Sequence, residues 1–299
     1  GPDVGAVKVA IAQITSSDQP AENLATVLNL MDQSAGQDIL FLPEVTNCVS
    51  LDRAHQLQVL EPYEGNSFIG AICERARRLG LWVALGSVTV KTEGDDGRFA
   101  NRSVMINAEG QVVAFYDKIH MFDVTLSETE RYHESKGYCP GTEAAVVQTP
   151  WAELGLSICY DLRFAALHRA LAQAGAKVLL VPSAFARATG EAHWHVLLRA
   201  RAIENACWVV AAAQTGQHED DRQTFGHSMV VDPWGEIVLD MGKHPGLGFA
   251  DIAADHPQRR HPGELQNRWQ TKSHQQRQTR ADPIGQRAPT GSGQVGFDQ

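Results

Sequence analysis

The sequence predicts an α/β protein in which two β-sheets pack face to face with helices on the outside. Three observations carry that expectation. Hydrophobic residues make up 43% of the 299, enough for a sizeable core and too many for a disordered chain. A strand–helix rhythm runs through the chain twice, each half supplying several strands and a pair of helices. Neither half can cover its own sheet, so the two are read as one domain over residues 7–261.

Gly1-Pro2 without an initiator methionine reads as a cloning scar, and residues 1–6 as a disordered lead-in. Val7 to Ile14 is an apolar, alternating strand. Pro20 opens a helical pattern through Leu24, Val27, Leu28 and Met31 that closes near Gly36. Asp38 to Leu42 is a buried strand running into Pro43-Glu44. A helix over Ser67 to Leu79 stops at Gly80. Strands follow at Leu81–Val90, Ser103–Asn107 and Val112–Tyr116. In the second half, strands at 145–148 and 153–158 precede a helix at 163–174, which Gly175 stops. A strand at 177–182 leads to a helix from Glu191 to Ala206. Strands at 207–213, 229–232, 236–240 and 247–252 complete the domain. Residues 262–299, rich in Gln, Arg, Gly, Ser and Pro, read as a disordered tail.

Composition narrows the function. The net charge of −9 makes no electrostatic case for nucleic acid or an anionic membrane. No apolar run approaches the ~18–20 residues that span a bilayer, and no signal peptide is evident. The five cysteines are odd in number and contain no CxxC pair. Free thiols in a reducing cytoplasm are therefore expected, not a disulfide frame or a zinc–thiolate cluster.

The stretch Gly155 to Phe164 places Cys159 at a strand-to-helix turn, where backbone N–H groups at a helix start favour a thiolate and an oxyanion. Glu44, Lys118 and Glu134 likewise sit where strands end or loops begin. A thiol attacking an amide needs a base that later returns the proton, positive charge or N–H donors for the oxyanion, and an orienting group. These residue types provide all of that. Each also has a plainer reading: Cys159 as a buried core residue, Glu44 as a cap, Lys118 and Glu134 as solvated charges.

Three dispersed segments tip the balance. Phe41-Leu42-Pro43-Glu44, Tyr116-Asp117-Lys118-Ile119-His120 and Ser157 to Phe164 resemble, in order, the signature motifs of the nitrilase (carbon–nitrogen hydrolase) superfamily. Arg131 to Ser135 is similar to the segment bearing that family's second glutamate. The resemblance covers residues 7 to 260. It implies a four-layer α-β-β-α sandwich that dimerises through its helical faces. It also implies Cys159 as nucleophile, Glu44 as general base and acid, Lys118 with the backbone N–H of Tyr160 as oxyanion stabilisers, and Glu134 as the group positioning Lys118. No metal or organic cofactor is implied. Alkylation is expected to label Cys159 fastest of the five thiols.

Within the superfamily, Pro182–Phe185, Thr189–Trp194, Leu198–Glu204 and Gly226–Gly235 resemble the Nit branch. Ala211–Gln217 is closer to its deaminated glutathione amidases than to its ω-amidases. Ala165 stands where the family often has proline. The resemblance therefore implies an amidase cleaving a small α-keto-acid amide, deaminated glutathione first, through a cysteine thioester. The alternatives are an ω-amidase acting on α-ketoglutaramate and another short-chain amide or N-carbamoyl hydrolase; the intact ionisable set argues against a silent scaffold. Phe185 and Arg187, after the strand that follows the nucleophile helix, are expected to border the substrate. His193 and His195 do not share a helix face and are set aside as a metal pair, while Arg199, Arg201 and Glu204 read as a helix-side ion-pair set. The expected partners are a small amide and further copies of the chain, with no nucleic acid and no membrane.

Overall fold

The computed structural model describes residues 5–94 and 96–254. The readings for residues 1–4 and 262–299 lie outside them. Chain order begins β1 (Ala6–Gln13), α1 (Pro20–Gln33), β2 (Ile39–Phe41), α2 (Arg53–Val59), α3 (Ser67–Leu79), β3 (Trp82–Lys91), β4 (Phe99–Ile106) and β5 (Val112–Asp117). A hairpin, β6 (Asp123–Thr125) and β7 (Arg131–His133), leads into the short α4 (Glu134–Gly137). Then come β8 (Ala145–Gln148), β9 (Glu153–Leu156), a 3₁₀ turn at Cys159–Arg163, α5 (Ala165–Gln173), β10 (Val178–Leu180) and α6 (Arg187–Asn205). The chain continues through β11 (Trp208–Ala211), the hairpin β12 (Thr215–Gln217) and β13 (Gln223–Phe225), β14 (Met229–Val231), β15 (Ile237–Asp240) and β16 (Gly246–Ala253).

Two six-stranded sheets form, ordered β16-β1-β2-β3-β4-β5 and β15-β14-β11-β10-β9-β8. Successive side chains of a strand face opposite ways, and β1 shows what this does here. Val7, Val9 and Ile11 pack in one core with Leu154, Leu156, Val178 and Trp208 of the second sheet. Ala10 and Ala12 pack in another with Val27 and Met31 of α1 and Ile72 and Ala76 of α3. Leu167 and Leu171 of α5 and Trp194 and Leu198 of α6 join the first core from the far side. The layers are therefore helix, sheet, sheet, helix, as expected.

Several boundaries move, for local reasons. The helix read from Glu191 begins at Arg187, and Gly190 lies inside it. A Cβ on Gly190 would stand 2.4 Å from the Phe225 ring, so this glycine is there for close packing and does not stop the helix. The strand read from Ser103 begins at Phe99, its first part hidden by the polar Asn101 and Arg102. The strand read to 158 stops at Leu156, and the helix read from 163 opens with the 3₁₀ turn. Strand β16 closes the first sheet antiparallel to β1, pairing Ala6 with Ala253 and Gln13 with Gly246. The second half of the chain thus completes the first half's sheet, which is why neither stands alone. Among the described residues no helix is long and apolar enough to cross a membrane.

Candidate active site

Four strand ends converge on one cleft. Glu44 follows β2, Lys118 follows β5, Glu134 opens α4 after the β6–β7 hairpin, and Cys159 begins the turn after β9. The cleft encloses about 280 Å³, and all four residues line it. Two backbone positions beside the chemistry adopt the left-handed region without being glycine: Val45 at φ +48° and Cys159 at φ +46°. Such positions cost about 1–3 kcal/mol unless the surroundings hold them.

At Cys159 the holding groups are visible. Its N–H donates to the Pro182 carbonyl at 2.9 Å. The fully buried Asp161 accepts from the Ile158 N–H at 2.9 Å, the Tyr116 hydroxyl at 2.6 Å and the His120 N–H at 3.1 Å. One carboxylate therefore ties the turn bearing the thiol to the segment bearing Lys118. The His120 ring lies 2.7 Å from Asp161 through Nδ1 and stacks on Phe164.

Glu44 is buried and accepts three hydrogen bonds. Lys118 Nζ at 3.0 Å and Asn101 Nδ2 at 2.8 Å reach Oε2, and the Ala184 N–H reaches Oε1 at 3.0 Å. Lys118 Nζ also meets both oxygens of Glu134, at 2.9 and 3.1 Å. Glu134 accepts in turn from the Phe122 N–H at 2.8 Å. Gln214 holds the backbone of Glu44, donating to its carbonyl at 3.1 Å.

These contacts set the charges. Burial alone would raise the Glu44 carboxyl, but the Lys118 charge and hydrogen bonds from Lys118, Asn101 and Ala184 outweigh it and hold the group below its ordinary value. Glu134 is raised, first by burial and then by the Glu44 charge, against the pull of Lys118. Burial works against the Lys118 cation, yet Glu134, Glu44 and Cys159 together keep it firmly charged. The thiol of Cys159 is pushed well up, by burial and then by Glu44. The expectation of a turn that favours the thiolate is corrected here: desolvation and a neighbouring carboxylate outweigh the N–H donors. Burial and the adjacent Glu44 charge thus favour the neutral thiol over the thiolate, while Lys118 favours the ionised form of Glu44.

Two expected substrate contacts do not line this cleft. Phe185 is turned into the core, 4% exposed, against Trp194, with the Arg163 guanidinium over its ring. Arg187 lines a neighbouring cavity and is paired with Glu191 at 3.1 Å. Tyr160 lies directly after Cys159, its ring packed on Phe122 and Phe164. Sequence reasoning gave no separate role to Asn101, Asp161 or Gln214, whose partners are distant in the chain. His193 and His195 diverge as their spacing requires, to Arg163 and Asp240 respectively. His195, His227 and Asp240 bring one ligand atom each within 4.8 Å of one another, but Asp240 already accepts from both rings and none of the three lines the cleft. Arg201 pairs with Glu204 at 2.9 Å, as the helical spacing predicts, whereas Arg199 donates to the Gly235 carbonyl.

Comparison with known proteins identifies the family. The deaminated glutathione amidases of Mus musculus and Homo sapiens are 43% and 42% identical, the matches covering 82% and 87% of this chain and 77% and 81% of theirs. The crystal structure of the Caenorhabditis elegans NitFhit protein superposes with a TM-score of 0.80 at 36% identity, over 90% of this chain and 65% of that one. The family description "Carbon-nitrogen hydrolase" matches residues 8–259, a span that contains all four converging residues. On motif order, fold and this match together, the chain belongs to the carbon–nitrogen hydrolase family.

Proposed function

We propose that this hydrolase is an amidase that cleaves deaminated glutathione through a thioester on Cys159. The observation that carries the reading is the hydrogen-bonded set Glu44–Lys118–Glu134 lining one cleft together with Cys159. The thiol sulfur attacks the amide carbonyl carbon while Glu44 takes its proton. Lys118 Nζ and the Tyr160 N–H meet the oxygen as it gains negative charge. Glu44 then returns the proton to the leaving nitrogen, and the C–N bond breaks. A water, deprotonated by Glu44, attacks the thioester and releases the carboxylate and the thiol. Glu134 holds Lys118 in place and is a positioning residue.

The relatives' names support the choice of substrate. The test is a side-by-side assay of deaminated glutathione, α-ketoglutaramate, glutamine and glutathione. Higher kcat/KM on deaminated glutathione than on α-ketoglutaramate is expected, with little activity on the two amino compounds. Their ammonium would bring an unmatched charge into the cleft. A preference for α-ketoglutaramate would move the protein to the ω-amidases. An odd number of cysteines with no CxxC pair supports a reducing, cytoplasmic setting. A homo-oligomer, at least a dimer, is expected, and light scattering on the purified chain decides it.

A further inference from the structure

The catalytic cleft does not end at its own rim. A second cavity of about 560 Å³ adjoins it, and the two share Leu51, Arg131, Tyr132 and Arg222 in their walls. From the shared wall the second cavity runs to Arg187 and Glu191 at the start of α6 and to Asp220 and Asp221 before β13. Resting on the amidase reading above, we propose that this outer cavity is the subsite for the amine side of a peptide-like amide, and that Arg131 receives the carboxylate of that leaving group.

The charges of the cavity single out this arginine. Arg222 is paired with Asp220 at 2.9 Å and Arg187 with Glu191 at 3.1 Å. Glu130 accepts from the Tyr132 hydroxyl at 2.7 Å. Arg131, exposed on β7, has no ion-pair partner among the described residues and lines both cavities. Glu130 and Asp221 are the two carboxylates of the outer cavity without an ion pair among the described residues; the Tyr132 hydroxyl occupies one oxygen of Glu130, and Asp221 repels an anion from its own end. A carboxylate is therefore drawn to the shared wall. There a guanidinium can meet both of its oxygens at once.

The leaving group of deaminated glutathione is a dipeptide ending in a carboxylate. Extended, it reaches about 7 Å beyond the scissile nitrogen. The acyl side carries a second carboxylate, and Lys136 lines the inner cleft but not the outer cavity. Arg53, like Lys136, lines only the inner cleft, so cations face both ends of the substrate and sort them. An amide that releases ammonia places nothing in the outer cavity, so Arg131 bears on the choice between substrates more than on the chemical step.

The experiment measures kcat/KM for deaminated glutathione, its C-terminal carboxamide and α-ketoglutaramate, with the wild-type chain, Arg131→Ala and Arg131→Lys. In Arg131→Ala the preference for deaminated glutathione over α-ketoglutaramate should fall about tenfold, mainly through KM, and Arg131→Lys should recover part of it. Wild type should discriminate against the carboxamide by a similar factor, and Arg131→Ala should not. Ratios taken on one preparation do not depend on the folded fraction, and Arg131→Gln serves if the alanine variant does not fold. An unchanged ratio, or equal use of acid and carboxamide by wild type, overturns the proposal while leaving the amidase reading in place. Wild type that cleaves none of the three compounds overturns the amidase reading and this subsite with it.

Discussion

Lys118 Nζ lies 3.0 Å from Glu44 Oε2, with the lysine side chain 1% and the glutamate 6% exposed. Few charged groups are so deeply buried, and neither would remain so alone. The second carboxylate, Glu134, lets one ammonium satisfy both acids, and Glu44 is the one held below its ordinary value. Charge balance in the cleft therefore rests on the one ammonium that the two carboxylates share.

Removing the Glu44 carboxylate should separate chemistry from stability. Glu44→Gln keeps the shape and part of the hydrogen bonding, but it cannot take the proton of Cys159. The chemical step should fall by at least ~10²-fold while the fold persists, as single-turnover assays and circular dichroism would report. Near-normal turnover in the folded variant would remove Glu44 from the mechanism.

Lys118 should be intolerant in two different ways. Lys118→Ala leaves two carboxylates facing each other without their cation, at a cost of about 3–5 kcal/mol in a denaturant titration. Lys118→Arg keeps the charge but not the point geometry, so it should be inactive even where it folds. An active arginine variant would mean that charge alone suffices.

The thiols should react in an order that the sequence does not give. Cys139 is exposed, whereas Cys159 is buried with its thiol pushed up. Iodoacetamide should therefore modify Cys139 early without loss of activity, and activity should disappear as Cys159 is labelled. This replaces the expectation that Cys159 reacts fastest. Peptide mapping against residual activity checks it; inactivation that tracks Cys139 would contradict the assignment.

His168 should make the fold sensitive to mild acid. Burial holds its imidazole down at about 4, against the ordinary 6.5, with Nδ1 on the Phe164 carbonyl and Nε2 near Ser157 Oγ. The folded state prefers the neutral ring, so its contribution is complete above the unfolded value and is lost as pH falls towards 4. At about pH 5 the loss relative to neutral pH should be about 2 kcal/mol. Urea titrations at both pH values should show that increment in wild type and lack it in His168→Gln.

Gly86 should resist even alanine. A Cβ there would stand 1.9 Å from the Leu42 carbonyl, 2.6 Å from that of Pro43 and 2.5 Å from Pro182 Cβ. Pro43 precedes Glu44, and the Pro182 carbonyl accepts the N–H of Cys159. Gly86→Ala should cost about 2–3 kcal/mol by overpacking and lower kcat by moving the two apart. Thermal melts and steady-state kinetics together test both effects.

The sequence by itself determined the α/β layering and the residues that converge: Glu44, Cys159, Lys118 and Glu134 announce themselves at strand ends in ordered motifs. That is legible because strand and helix periods are local, and a charge beside an apolar run is conspicuous. It could not show that Asn101 and Ala184 hold Glu44, or that Asp161 joins the Cys159 turn to His120 and Tyr116. Nor could it show that β16 crosses back to β1. Those contacts join residues far apart in the chain, and nothing local in Asn101 or Asp161 separates a buried partner from a solvated one. The charge states were also decided in three dimensions. A thiol at a helix start reads as easily ionised until its burial, and the carboxylate against it, are known.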